Sequence, residues 1–173
     1  MIITEILGNT AGTDLDGRQV DPLCLEWFEP TKRILRKHTE GGREVAVKLL
    51  REGQRLHEGD ILWQDEQTAI VVEILPTEAI VVEPVSMLQM GTICYEIGNK
   101  HMPMFIQDDQ VLVPYEAPMF RLLEATGYNP QKQTRKLLNM LKANVEPHAH
   151  GNSSGSSSGE SLFSKILNLT TKS

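Results

Sequence analysis

The chain has 173 residues, 40% of them hydrophobic, enough to bury a core in one or two small domains. Its formal net charge of −6 argues against a nucleic-acid binder, which needs a basic face to displace the counterions of phosphate. Two distant cysteines, Cys24 and Cys94, form no C-x-x-C knuckle or redox pair, and no apolar run reaches the ~18 residues of a membrane helix. MIITEILGNTAG, at the start, lacks the basic region of a signal peptide, so a soluble cytoplasmic protein is expected.

Residues 1–75 read as strands. LCLEWF (Leu23–Phe28) alternates, with Leu23, Leu25 and Trp27 on one side. RILRKHTEGGREVAVKLL holds two strand-like runs around Gly41-Gly42, a hairpin signal, and DILW and AIVVEIL flank the polar turn Gln64–Thr68. Short strands with regular turn residues predict an all-β module. The pentapeptide AIVVE recurs at 69–73 and 79–83. Two copies do not make a repeat architecture, and a pair of β-branched strands meeting at Pro76 explains them. Proline supplies no ladder donor and stiffens a connection, so Pro76 marks the expected boundary.

Residues 76–150 change pattern. After the second AIVVE, Met87, Met90, Gly91, Cys94, Ile97 and Gly98 fall at helical spacing, and Ser86 with Gln89 makes a capping box. Gly98-Asn99 predicts the left-handed stop. MFI and VLV pair around Gln107-Asp108-Asp109-Gln110, and a second helix runs from Pro118 through Met119, Leu122 and Leu123 to Gly127. Strand–helix–strand–strand–helix is five-sixths of a ferredoxin-like βαββαβ domain. The sixth element, within Tyr128–Val145, should be a strand, yet KLLNMLK has a helical look, and the residues leave that conflict open. Residues 151–173 read as a flexible Gly/Ser linker followed by a short amphipathic patch, SLFSKILNL. The expected class is α+β: an N-terminal all-β module (1–75), a ferredoxin-like domain (76–150) and a flexible C-terminal tail (151–173).

Motifs with catalytic echoes do not survive their context. GSSSG at 155–159 lies in low-complexity linker rather than at a strand-to-helix turn, and Asp65-Glu66 and Asp108-Asp109 are turn residues. No H-x-x-x-H or equivalent supplies the three fixed ligands and general base of a metallohydrolase. The histidines say more. His38 and His57 read as surface residues near turns. His148 and His150, in EPHAHG, stand at i and i+2, so two imidazoles can close on one ion when the chain is extended. His101, in YEIGNKHMPMF, is a solitary donor, whereas tight capture needs about four. A two-fold axis would double it, and Met102 and Met104 beside it suit an apolar contact between copies as well as strand packing.

YEIGNKH resembles the helix-to-strand signature of the UreE-type urease accessory proteins, nickel metallochaperones. KRILRKHTEGGREVAVKL is similar to that family's N-terminal hairpin, GDILW to its next strand, DDQVLVPY to the strand entering its last helix, and PHAH to its histidine-bearing tail. The likeness covers about 1–150. It implies an N-terminal domain similar to the peptide-binding domains of some chaperones and a ferredoxin-like metal-binding half. It also implies a homodimer whose axis histidine falls on His101 and whose tail histidines fall on His148 and His150. Its cargo is nickel, with zinc or copper accepted in vitro, and its partners are a urease GTPase accessory protein and apo-urease. Neither nucleic acid, membrane nor catalysis enters. PYEAPMF lacks the extra histidines that some members carry there, and two tail histidines suit a carrier rather than a store. The rival reading is a metal-independent peptide-binding, chaperone-like module.

Overall fold

Alternation of apolar with polar residues builds the first half of the computed structural model, which describes residues 1–50 and 53–141. Seven strands form: β1 (Ile2–Ile3), β2 (Gly8–Asn9), β3 (Gln19–Leu25), β4 (Ile34–His38), β5 (Glu44–Lys48), β6 (Asp60–Gln64) and β7 (Thr68–Ile74). They make two sheets, ordered β1-β5-β4 and β2-β6-β7-β3. Leu23 and Leu25 of β3, Leu35 of β4, Val45 and Val47 of β5, Leu62 of β6, and Ile70, Val72 and Ile74 of β7 share one buried cluster. Each such side chain contributes about 1.5–3 kcal/mol on burial. β3 runs parallel to β7, a pairing that turn signals between neighbouring strands do not announce.

The β4–β5 hairpin forms where its glycines stand, and each glycine has its own reason. Gly42 takes φ +83°, and a Cβ on Gly41 would stand 2.8 Å from the carboxylate of Asp21. Asp21, on β3 and buried, accepts hydrogen bonds from Gly41 N–H and the Thr39 hydroxyl, both at 2.8 Å. The hairpin is thereby fastened to the second sheet.

Leu75 and Pro76 separate β7 from β8 (Thr77–Val82), which enters a different sheet. There follow α1 (Met87–Asn99), β9 (Phe105–Gln107), β10 (Gln110–Pro114), α2 (Ala117–Ala125) and β11 (Gln131–Arg135). The order β11-β8-β10-β9, antiparallel throughout, is that of a βαββαβ sandwich, so the α+β class stands. Ile80 and Val82 face the helices with Ile93, Ile97, Val111, Val113, Met119 and Leu123. Ala79 and Val81 face the opposite way, with Phe105, Leu112 and Leu137.

Two expectations need correction, and the conflict over the sixth element closes in favour of the strand. The sixth element is the polar strand Gln131–Arg135, and 136–141 contains no helix: Leu137 packs on the sheet's helix-free face while Leu138 packs on the β-sandwich core. Trp27 lies beyond the end of β3 and packs with the Leu137 cluster, edge-on to Phe105 at 6.0 Å. The buried face of α1 is Ile93 and Ile97 with Met90 and Cys94, whereas Met87, Gly91 and Gly98 are exposed. The Gly/Ser linker and the SLFSKILNL patch lie outside the described residues. Among those residues no helix is long and apolar enough to cross a membrane.

Candidate functional site

Helix α1 delivers His101 to the surface. Ser86 caps its start, its hydroxyl accepting from Gln89 N–H at 3.2 Å, while the Gln89 side chain accepts from Val85 N–H at 2.7 Å. That is the expected reciprocal box shifted by one residue. The expected left-handed stop at Gly98-Asn99 is displaced: both residues stay helical, Lys100 ends the helix, and His101 itself turns the chain at φ +55°. Its N–H donates to Gly98 O at 2.9 Å. Glycine normally fills this position, and an L side chain there costs roughly 1 kcal/mol, a cost that folds retain chiefly where the side chain has work to do.

Two methionines follow this turn. Met102 and Met104 are partly buried against the helix-side core, so they pack within the chain rather than standing exposed. His101 is exposed between a rigid helix end and an anchored strand entry. Leu141 N–H donates to Met104 O at 2.8 Å, so the last described residue lies against the chain that follows this turn.

Along α1 runs an apolar face that no described residue covers. Leu88 (82% exposed) and Tyr95 (71%) lie two turns apart, with Val85 and Met87 at the helix start. The helical pattern read from sequence followed the methionines and missed this stripe. The i, i+7 spacing of Leu88 and Tyr95 carried the signal. Within the same motif Glu96 turns inward: one carboxylate oxygen accepts from the Tyr128 hydroxyl at 3.3 Å, and the other is buried without a hydrogen bond. Burial, and then the Glu96 charge, hold the Tyr128 phenol above its usual pKa.

Of the three expected metal residues, only His101 is described; His148 and His150 lie outside the described residues. His38 is exposed on β4. His57 is exposed too, its Nδ1 3.6 Å from Asp60 and its Nε2 accepting from Arg55 Nε at 3.3 Å. Among the described residues no three His, Cys, Asp or Glu side chains gather at one place.

The fold is thus a β-sandwich followed by a ferredoxin-like domain, with a histidine standing at the stop of the first helix. Residues 3–75 match the family model of the UreE urease accessory protein N-terminal domain, and 77–160 that of its C-terminal domain. A Flavobacterium johnsoniae protein named urease accessory protein UreE is 52% identical over 169 residues, 98% of this chain and 99% of its own. Its namesake from Actinobacillus pleuropneumoniae is 46% identical over 83% of this chain and 79% of its own, and that from Acetivibrio thermocellus 39% over 88% and 99%. The chain belongs to the UreE family of urease accessory proteins, which are accessory factors and not enzymes.

Proposed function

We propose that this protein is a nickel carrier for urease assembly, its cargo held between two copies of the chain. His101 from each protomer supplies a pair of imidazoles at a two-fold axis, and His148 and His150 of the tails complete or cap the site. The ion passes onward to apo-urease with the help of a GTPase accessory protein. The observation that carries this reading is the placement of His101. It is exposed, held in a conformation that costs energy, and follows a helix on which Leu88 and Tyr95 stand exposed, the kind of apolar surface that pairs with its own copy. Imidazole is a borderline donor suited to Ni(II), and an exposed site can exchange ligands. Six residues separate Leu141 from His148, seven Cα-to-Cα steps with a reach of up to ~25 Å when extended.

An imidazole pair at the axis with a second, separable set of donors gives a release route. The tail donors leave, coordination positions open, and the acceptor's ligands enter. No nucleophile or general base is required. The family membership supports the cargo, and the compartment in which urease is assembled, the cytoplasm, follows from the same role. Imidazole binds metal only when neutral, so nickel affinity falls as acid protonates the ligands.

Native mass spectrometry tests the assignment. The wild type should hold nickel on dimers, His101→Ala should lose tight binding, and deletion from Glu146 onward should weaken it without abolishing it. If the two effects are reversed, the axis pair is not the principal site.

A further inference from the structure

We propose that the crevice between the β-sandwich and the ferredoxin-like domain binds a small aromatic monocarboxylate. The crevice has a volume of about 250 Å³ and takes its walls from both domains: Trp27, Leu56 and Ile74 from the first, Phe105, Leu137 and Met140 from the second. An apolar cavity of ~150 Å³ admits benzene, so this one has room for two fused rings and a charged group. Trp27, half-buried, and Phe105, buried, meet edge to face with centroids 6.0 Å apart. A third ring can join them at the same spacing, in the offset or edge-on geometry that aromatic groups prefer. His101 is not among the residues lining the crevice.

Apolar walls set the body of the ligand, and Arg55 sets its charge. Arg55 also lines the crevice, is partly buried, and forms no ion pair among the described residues. Its hydrogen bonds go to uncharged acceptors: Nη1 to Met140 O at 2.9 Å and Nε to His57 Nε2 at 3.3 Å. Nη2 has no partner among the described residues, which leaves both its protons for an incoming anion. Glu58, the carboxylate on the same wall, is already engaged. Its Oε1 accepts from Lys136 Nζ at 2.8 Å and its Oε2 from Ile74 N–H at 2.6 Å, so it neither neutralises Arg55 nor carries unmatched charge into the crevice. A partly buried guanidinium without a counter-ion favours a carboxylate, which meets it in a charge-assisted hydrogen bond. One guanidinium matches one negative charge; a phosphate ester or a dicarboxylate would leave its second charge unpaired against apolar walls. Because the walls belong to two domains, the occupant should also fasten their junction, which Lys136 already bridges by reaching Glu58 and, at 3.2 Å, Glu73.

The probe is 2-naphthoate, compared with its neutral isostere 2-naphthamide, each titrated calorimetrically into the full-length chain. One naphthoate per chain should bind, at least about tenfold tighter than the amide. Arg55→Gln, which keeps a donor for Met140 O but removes the charge, should bind the two alike. Arg55→Lys, which restores the charge, should recover the preference, and so separates loss of charge from loss of fold. In a Trp63→Phe background Trp27 is the sole indole, and its N–H resonance should shift on saturation with naphthoate. The proposal is overturned if wild type binds neither ligand at ~1 mM or binds both equally. It is overturned too if Arg55→Gln keeps the preference or Arg55→Lys fails to recover it. An unshifted Trp27 resonance at saturation would place the ligand elsewhere and overturn it equally.

Discussion

His101 occupies a backbone position built for glycine, and that conflict can be measured. Replacing it by glycine removes the left-handed penalty, so His101→Gly should gain about 1 kcal/mol and raise the unfolding midpoint by roughly 2–4 °C. The same variant should lose tight nickel binding, whereas His101→Ala should lose the metal without gaining stability. A His101→Gly variant less stable than wild type would show that the turn is held by the imidazole rather than strained by it. Glu29, at the start of the short 3-10 turn Glu29–Thr31, makes a second residue-scale prediction. Burial raises its pKa, but hydrogen bonds from Lys37 Nζ (2.6 Å), Glu26 N–H (3.0 Å) and Lys32 Nζ (3.3 Å) outweigh burial and leave it below the ordinary carboxylate value. A lowered folded pKa adds stability that is whole above the unfolded value and is lost as pH falls through the folded one. Glu29→Gln should therefore cost about 1–2 kcal/mol at neutral pH and much less at pH ~3, compared by urea midpoints.

At the scale of elements, the segment after β11 shows what one-dimensional spacing hides. Leu137, Leu138, Met140 and Leu141 imitate a helix because the strap touches two different cores, not because it coils. The Gln107 side chain clamps it, donating to Lys136 O at 3.1 Å and accepting from Leu138 N–H at 2.7 Å, and Arg55 Nη1 donates to Met140 O at 2.9 Å. A helix would put Leu137 and Leu141 on one face, and their truncation costs would be alike. The observed strap predicts otherwise. Leu137→Ala should cost about 2–4 kcal/mol, since Leu137 is 2% exposed, and Leu141→Ala less than ~0.5 kcal/mol, since Leu141 is 46% exposed. Equal costs in equilibrium denaturation would restore the helix. The elements read correctly had their own local chemistry: two glycines between β4 and β5, Ser86 before α1, and Asp108-Asp109, whose φ values of +51° and +60° make the tight turn between β9 and β10. β11 was illegible because Gln-Lys-Gln-Thr-Arg has no apolar alternation; its place comes from pairing with β8. The helix stop was misread because a Gly-Asn pair outweighed a histidine two residues later.

For the whole molecule, the proposed site makes metal binding and self-association one equilibrium. The sequence singled out His101, but not the exposed face of α1, because Leu88 and Tyr95 look like core residues until the helix is oriented. A lone exposed imidazole binds nickel weakly; two at an axis, with tail donors or water, approach the four or more contacts of a retained ion. Whatever factor dimerisation adds to nickel affinity, nickel must add to dimerisation. Leu88→Glu places a charge on the uncovered face of α1, thirteen residues before His101 and touching no ligand. At 82% exposure it should change monomer stability by less than ~0.5 kcal/mol. If that face meets its copy, the variant should sediment as a monomer at concentrations where wild type is dimeric. Its nickel affinity should fall by about tenfold or more, and raising the concentration of either nickel or protein should restore the other equilibrium in step. A monomeric Leu88→Glu protein that bound nickel as tightly as wild type, at every chain concentration, would place the whole site within one chain and end the shared-cargo account.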